Sequence, residues 1–440
     1  MKNLKICVLP FTIALLLTAC GKSNSNFKMY DPEDTSMLSA NCKAYIDDMR
    51  AQQESLDDPY KYSDLNGEQG VHIEDTKYLD TGDVNGKNQT VSGQIPDRSD
   101  KSMGVELKFE PKSGVEAEEY KVLVSTDRNF GNAKEFTTKG NSVKATNLFV
   151  NTKYYWKVVA DDVESQVREF TTEDYPRWIL ARALDGTEDN RGIYNVRDMG
   201  GYMTESGKRV KQGLVFRGGE ITTMTNSGHY NTITEAARKA FTEDMGMVGG
   251  VELDLRGNSD IGDNYRANAF SKEGAEIGYQ QIAIKSYEET FTRDGSGNNN
   301  PTVARENVRA IFELLKNANN KPVYYHCFGG ADRTGTIGFL LNGVLGVSYT
   351  DLVIDFELTS YSSINNEHIR CHIPDSATTK HQHQYDRWPA LINYVKTDTT
   401  GGYAWDDNAL LKTNIENFLV KSIGVPQGTI DTIRDIMLED

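Results

Sequence analysis

The sequence predicts an α/β domain, with a central mostly parallel sheet and flanking helices, preceded by a β-sandwich domain. Three observations carry this. From about residue 78 to 172, short runs of period-two alternation recur between Gly, Asn and Asp punctuation, the pattern of an all-β sandwich. After Tyr175-Pro176, strand-like and helix-like stretches alternate to the end of the chain, the pattern of an α/β domain. Within that second part a glycine-rich loop containing Cys327 and Arg333 lies directly after a strand pattern and before a helix pattern. A chain of 440 residues is comfortable for two or three domains.

The first 19 residues stand apart. Met1 to Lys5 is a short basic start, and residues 6–17 are apolar apart from Thr12, with Pro10 among them. That stretch is too short to span a bilayer and suits a secretory leader. It ends in Leu17-Thr18-Ala19-Cys20-Gly21, which resembles the bacterial lipobox. The resemblance implies lipidation of Cys20 and a protein exported and lipid-anchored to the cell envelope, facing the periplasm or on the surface. Two acyl chains at one end make a stable membrane anchor. The plain alternative is cleavage after Ala19 as an ordinary secretory signal.

The formal net charge is −16, and it becomes −18 once Lys2 and Lys5 leave with the leader. This argues against a nucleic-acid partner, which calls for a basic surface. Polyanionic substrates are repelled too, unless the site concentrates positive potential of its own. After export, Cys20, Cys42, Cys327 and Cys371 remain, too few and too scattered for a disulfide framework. Nothing in the spacing of Cys42 and Cys371 favours their pairing.

Residues 20–77 read as a tether and short helical region. The polar run 21–36 is the tether, and 37–55 form a short helix with Tyr45, Met49 and Leu56 at helical spacing. Residues 78–174 form the sandwich, with strands around Val105–Phe109, Tyr120–Val124 and Tyr155–Val159. Within it, Leu148-Phe149-Val150-Asn151-Thr152-Lys153-Tyr154 resembles the Leu-x-Pro-x-Thr-x-Tyr corner of fibronectin type III domains, with Val150 in place of proline. Glu169-Phe170-Thr171-Thr172 is similar to the last strand of that family. The resemblance implies a spacer or a module with a protein or glycan partner, and no chemistry.

Residues 175–440 form the α/β domain. Val251–Leu255 and Pro322–Tyr325 read as buried strands, and Asn307–Lys316 and Thr334–Leu345 as helices. Between the second strand and the last helix lies His326-Cys327-Phe328-Gly329-Gly330-Ala331-Asp332-Arg333-Thr334-Gly335. Phosphoryl transfer to a thiol needs a thiolate and a cradle of donors for the phosphate oxygens. A tight strand-to-helix loop supplies both, because its N–H groups and the helix N-terminus favour negative charge. The same field lowers the pKa of Cys327. Gly329, Gly330 and Gly335 let the backbone curl around an oxyanion, and Arg333 can hold two oxygens through its planar fork. The loop from Phe328 through Gly329, Gly330, Ala331 and Asp332 to Arg333 is thus the phosphate cradle. Thr334 is placed to give its hydroxyl to the sulfur, and His326 orders the loop. This chemistry needs neither metal nor cofactor.

The loop resembles that of protein tyrosine phosphatases, and particularly the bacterial branch with His-Cys-x-Ala-Gly-Lys-Asp-Arg-Thr-Gly. Tyr194-Asn195-Val196-Arg197-Asp198-Met199-Gly200-Gly201-Tyr202, followed by Arg217-Gly218-Gly219, is similar to the Asn-Phe-Arg-Asp-Leu-Gly-Gly-Tyr…Phe-Arg-Ser element that opens those catalytic domains. Leu253-Asp254-Leu255-Arg256 resembles the Asp-Leu-Arg at a strand end, and Phe418–Met437 the closing helices. Two departures stand out: Ala331 occupies the lysine position, and Gly329 replaces an alanine. The missing lysine puts phosphoinositide substrates in doubt.

A general acid must protonate the leaving oxygen. The resemblance favours Asp254; Asp332 within the loop is the runner-up, and Asp260 and Asp263 remain candidates. Asp386-Arg387-Trp388-Pro389 superficially matches the acid loop of the eukaryotic enzymes with its order wrong, and reads as a helix start with a packed Trp. Arg197 and Asp198 either bind near the loop or form an ion pair where the domain begins. His368 and His372, at i and i+4 among the four histidines of 368–383, present the pattern of a zinc pair, although a solvated rim segment is the simpler reading. The expected activity is hydrolysis of phosphomonoesters through a phosphocysteine intermediate, on phosphotyrosine and then phosphoserine or phosphothreonine, in a phosphorylated protein or a small phosphate ester. The alternatives are an inositol-phosphate or phosphoinositide phosphatase, for which Arg217, Arg256 and Lys285 are the rim cations to watch, and a surface binding lipoprotein with a degenerate phosphatase domain.

Overall fold

The computed structural model describes residues 26–54, 58–62, 71, 73, 77–78, 104–182, 193–221, 235–261, 277–362, 370–372 and 387–439. Residues 1–19, Cys20, Leu56, Asp263, His368, His381, His383 and Asp386 lie outside the described residues. Among the described residues no helix is long and apolar enough to cross a membrane.

The N-terminal part is sheet-rich. Strands β1 (Phe27–Met29), β2 (Val105–Pro111) and β5 (Ser142–Ala145) form one antiparallel sheet in the order β1-β2-β5. A second contains β3 (Tyr120–Ser125), β4 (Lys134–Thr138), β6 (Lys153–Ala160) and β7 (Val163–Glu164) in the order β4-β3-β6-β7, with β8 (Arg168–Thr171) also on β6. Alternation decides which faces are buried. Tyr154, Trp156, Val158 and Ala160 of β6 point into a core shared with Val105, Leu107 and Phe109 of β2, and Tyr155, Lys157 and Val159 point away from it. The Tyr154 hydroxyl turns back to accept the N–H of Phe149 at 2.8 Å.

Two boundaries differ from the sequence reading. The run 21–36 is not a tether throughout, because Phe27–Met29 pairs with Phe109–Pro111. Phe27 packs edge-on against Phe109 and Tyr120, with ring centroids 6.1 and 6.3 Å apart. A three-residue strand is too short to show a period, and its partner lies some 80 residues away. Tyr78, expected to open the sandwich, instead packs against Tyr45 at 5.6 Å in the core of the C-terminal part. Helix α1 (Ala40–Gln53), capped by Ser39, buries Cys42, Tyr45, Ile46 and Met49 in that same core.

The C-terminal part is built on a six-stranded sheet. Its strands are β9 (Trp178–Arg182), β10 (Tyr194–Asp198), β11 (Val215–Gly218), β12 (Val251–Asp254), β13 (Gly278–Gln281) and β14 (Val323–His326), in the order β13-β12-β14-β11-β10-β9. The pairings from β13 to β11 are parallel, and those of β10 with β11 and β9 antiparallel. Strand β14 is buried along its length between parallel neighbours, so the loop at its C-terminal end opens where α/β sheets place their ligands.

Helix α2 (Pro301–Leu315) starts at the Asn300 cap with Pro301 in its first turn. Helix α3 (Asp332–Leu345) is buried from Thr334 to Leu345, which its apolar sequence on all sides allows, and it ends at the left-handed Gly346. Helix α4 (Tyr349–Glu357) follows from the Ser348 cap. Helix α5 (Arg387–Thr397) stacks Trp388 on Phe356 with centroids 4.6 Å apart. Helix α6 (Leu411–Asn417), a turn of π-helix (Phe418–Ile423) and helix α7 (Gln427–Met437) close the chain.

The two parts meet at Arg177. Its guanidinium donates to the carbonyls of Leu148 and Asn147, both at 3.1 Å, and pairs with Asp198 at 2.7 Å. It also lies 4.3 Å over the Phe149 ring. Gln212 makes a reciprocal pair with the backbone of Val150. The corner 147–151 is thereby seated on the C-terminal part.

Candidate active site

Strand β14 ends at His326 and α3 begins at Asp332, which leaves Cys327 to Ala331 as a tight connection. The carbonyls of this connection are bonded to surrounding elements. Cys327 O faces His326 Nδ1 at 3.0 Å, and Phe328 O accepts from the Tyr194 hydroxyl and the Glu220 N–H, both at 3.0 Å. Asn195 Nδ2 reaches Gly329 O at 3.0 Å and Gly330 O at 3.2 Å; Arg217 Nη2 reaches Gly330 O at 2.9 Å. Ala331 O accepts from Gly335 N at 2.8 Å, starting the helix. Because C=O and N–H point oppositely across each planar peptide, carbonyls held on the outside direct the N–H groups to the concave side. Gly330 is required by geometry: it sits at φ +66°, and a Cβ there would strike the backbone of Gly218.

Cys327 is 2 % exposed. Burial pushes its thiol pKa up, but the Arg333 guanidinium and the Thr334 hydroxyl and backbone N–H outweigh it, with Asp332 working against them, so the thiol is held below its ordinary value. The Thr334 hydroxyl is buried without a strict hydrogen-bond partner, which fits a donor whose acceptor is the nearby sulfur. Arg333 pairs with Asp260, on the short helix Asn258–Ile261 that follows β12.

Both ring nitrogens of His326 face acceptors, Nδ1 the Cys327 carbonyl and Nε2 the Glu252 carboxylate at 2.9 Å. Two acceptors require two N–H groups, hence an imidazolium. Burial opposes that charge, but Asp254 and Glu252 outweigh it and raise the pKa of His326. A histidine in this state orders the loop and is no base.

The described candidate acids are each paired with an arginine and differ in burial. Asp254, the first expectation, is fully buried beside His326 in the sheet. Its Oδ1 accepts from the Arg256 N–H and Nε at 2.9 Å, and its Oδ2 from Nη2 at 2.8 Å. Burial pushes its pKa up, yet His326 and Arg256 hold it below the ordinary value, the wrong direction for a proton donor. The Asp260 carboxyl is likewise lowered, with burial outweighed by Arg333. Asp332, in the first turn of α3, has a partly exposed side chain, and its Oδ1 accepts from Arg370 at 2.8 Å and from the Tyr287 hydroxyl.

The rim cations also divide. Arg217 and Arg256 are fully buried, Arg217 on Asp355 and the loop and Arg256 on Asp254 and Glu220. Neither lines a rim. Lys285 is half-buried and near Asp260. Arg197 and Asp198 are both internal, paired with Asp355 and Arg177. His372 is buried, with Nδ1 on Glu357 at 2.7 Å, and no metal-binding cluster of three or more His, Cys, Asp or Glu occurs among the described residues. Phe328 presents a partly exposed ring next to Cys327.

Several residues escaped sequence reasoning. Asn195 lies in the 194–202 element, but nothing local marks it as the holder of two loop carbonyls. Asp355, Glu252, Tyr287 and Arg370 carry no local signal at all, because their partners come from distant parts of the chain.

A mixed sheet with flanking helices, bearing a Cys-x5-Arg loop at the end of a central strand, is the framework of a phosphatase domain. A model of the tyrosine phosphatase family matches residues 189–439, more than half of the chain, and the chain belongs to that family. No curated protein matches the sequence.

Proposed function

We propose that this protein hydrolyses phosphomonoesters through a phosphocysteine, with phosphotyrosine as the main substrate class and phosphoserine or phosphothreonine as further ones. The observation that carries the reading is the loop itself, with its carbonyls bonded outward around a buried cysteine of lowered pKa. The Cys327 thiolate attacks phosphorus, and the bond from phosphorus to the leaving oxygen breaks. Arg333 leaves Asp260 to hold two phosphate oxygens, and the loop N–H groups hold the developing charge. We assign proton donation to Asp332, because Asp254 is fully buried whereas the Asp332 side chain is 37 % exposed and lies within the loop next to Arg333. Water then attacks phosphorus, the S–P bond breaks with the pair returning to sulfur, and the water proton passes to Asp332. The Thr334 hydroxyl eases the departure of the thiolate.

The Phe328 ring beside the nucleophile favours an aryl leaving group. Ala331 and the burial of Arg217 and Arg256 disfavour phosphoinositides. The leader and Cys20 support an exported, lipid-anchored protein, and the sheet-rich part a module for a protein or glycan partner. Phosphate release from phosphotyrosine peptide, phosphoserine peptide and inositol phosphates, with Cys327→Ser as the blank, tests the reading. Cys327-dependent turnover with phosphotyrosine ahead is expected; a folded, reduced protein inactive on all of them would overturn it.

A further inference from the structure

We propose that Arg370 and Tyr287 are positioning residues that set the orientation of the Asp332 carboxyl for proton transfer. This deepens the assignment of Asp332 above and rests on it. The Asp332 side chain is 37 % exposed, so on its own it would sample several rotamers. Donors from two separate segments converge on one of its oxygens. Arg370 Nε and Nη2 each lie 2.8 Å from Oδ1, and the Tyr287 hydroxyl donates to the same atom.

Both donors are themselves fixed. Arg370 is 4 % exposed, and its backbone is latched to Ser360 in both directions: its N–H donates to Oγ at 2.9 Å, and Oγ donates to its carbonyl at 3.2 Å. Two residues on, His372 binds Glu357 through its backbone N–H and Nδ1 at 2.6 and 2.7 Å. Tyr287 sits at φ +54°, a left-handed conformation that is an outlier for a bulky residue. Its N–H donates to Thr336 Oγ1 at 2.9 Å, whose hydroxyl in turn donates to the Asp332 carbonyl at 3.0 Å. The strained residue is thus docked on the same helical turn that its hydroxyl serves. Strained backbone of this kind collects at functional sites, where the surrounding structure holds it in place.

The chemistry follows from the donors. A guanidinium has no acceptor, so the oxygen it holds is an acceptor throughout, and the transferred proton is carried on Oδ2. That oxygen gives the proton to the leaving group and takes it back from water. Losing either donor loosens the hold on the Asp332 carboxyl, which slows proton transfer without altering phosphate binding.

The test is the dependence of kcat/KM on the leaving group, since this quantity reports phosphocysteine formation alone. Dinitrophenyl phosphate leaves without a proton; phenyl phosphate needs one. Asp332→Asn is expected to lower kcat/KM for phenyl phosphate by about 100-fold or more, the range of general acid catalysis, and to spare dinitrophenyl phosphate. Tyr287→Phe, which removes one hydroxyl, and Arg370→Gln should reproduce this selective loss to a smaller degree, about tenfold, with inorganic phosphate inhibiting as in the wild type. If Asp332→Asn slows both esters equally or neither, Asp332 is not the proton carrier and the underlying assignment fails. If Asp332→Asn is selective but Tyr287→Phe and Arg370→Gln are not, the positioning inference fails alone. Equal losses on both esters with weakened phosphate inhibition would mark the two residues as purely structural and overturn the inference as well.

Discussion

Arg217 and Asp355 are paired with both side chains fully or nearly fully buried, and the free arm of Arg217 reaches the carbonyl of Gly330 at 2.9 Å. The other Asp355 oxygen holds Arg197 at 2.9 Å. Helix α4 therefore grips strands β10 and β11 through one carboxylate, and the Cys327–Ala331 loop through Arg217. Burial pushes the Asp355 carboxyl up, but the two arginines outweigh it and hold it ionised.

Asp355→Ala should cost about 3–5 kcal/mol, because it leaves two buried guanidiniums uncompensated. Urea denaturation measures this, and the Ki of inorganic phosphate should rise in parallel as the loop loosens. An unchanged Ki in a destabilised protein would show that the network supports the fold without shaping the loop.

Cys327 should titrate below the ordinary thiol value of about 8.5, seen as the pH midpoint of its alkylation with Cys327→Ser as the background. Arg333→Ala moves that midpoint up and Asp332→Asn moves it down, because the first stabilises the thiolate and the second opposes it. Movement in the same direction for both would contradict this electrostatic account.

His326 has a raised pKa in the folded protein. Its charge interactions are fully present below the unfolded value of about 6.5, and are lost as pH rises through the folded value. The Tm advantage of the wild type over His326→Gln should therefore shrink between acidic and alkaline pH. An advantage constant with pH would mean a neutral histidine, which the two facing acceptors argue against.

Arg177→Met removes the charge that links Asp198 to the corner 147–151. It should cost about 3–5 kcal/mol, as expected for breaking a buried pair, and should split calorimetric unfolding into two transitions where the wild type shows one. A single transition at an unchanged Tm would show that the two parts are held together elsewhere.

The parts of this protein legible in its sequence are those whose cause is local. Alternation marked β2, β3 and β6 because a half-buried strand repeats every two residues. The tight strand-to-helix connection at Cys327 was legible because strand, cysteine, glycines, arginine and helix follow one another within a dozen positions. The strand Phe27–Met29 and the packing of Tyr78 on Tyr45 were not, since each depends on a partner far along the chain.

The choice among the aspartates shows the same division. Asp254 and Asp332 are alike in sequence terms, each an acidic residue at the end of a strand or the start of a helix. Register with β14 and the return of Arg256 make the first a buried, ionised structural group. Arg370 and Tyr287, brought in from two other segments, hold the second beside Arg333. The sequence by itself determined the strand–loop–helix order around Cys327 and the alternating elements, because short spacing dictates them. Only the tertiary structure decided which carboxyl is fully buried and which stays partly exposed in its ion pair, because burial and long-range partners set the energy of a charge.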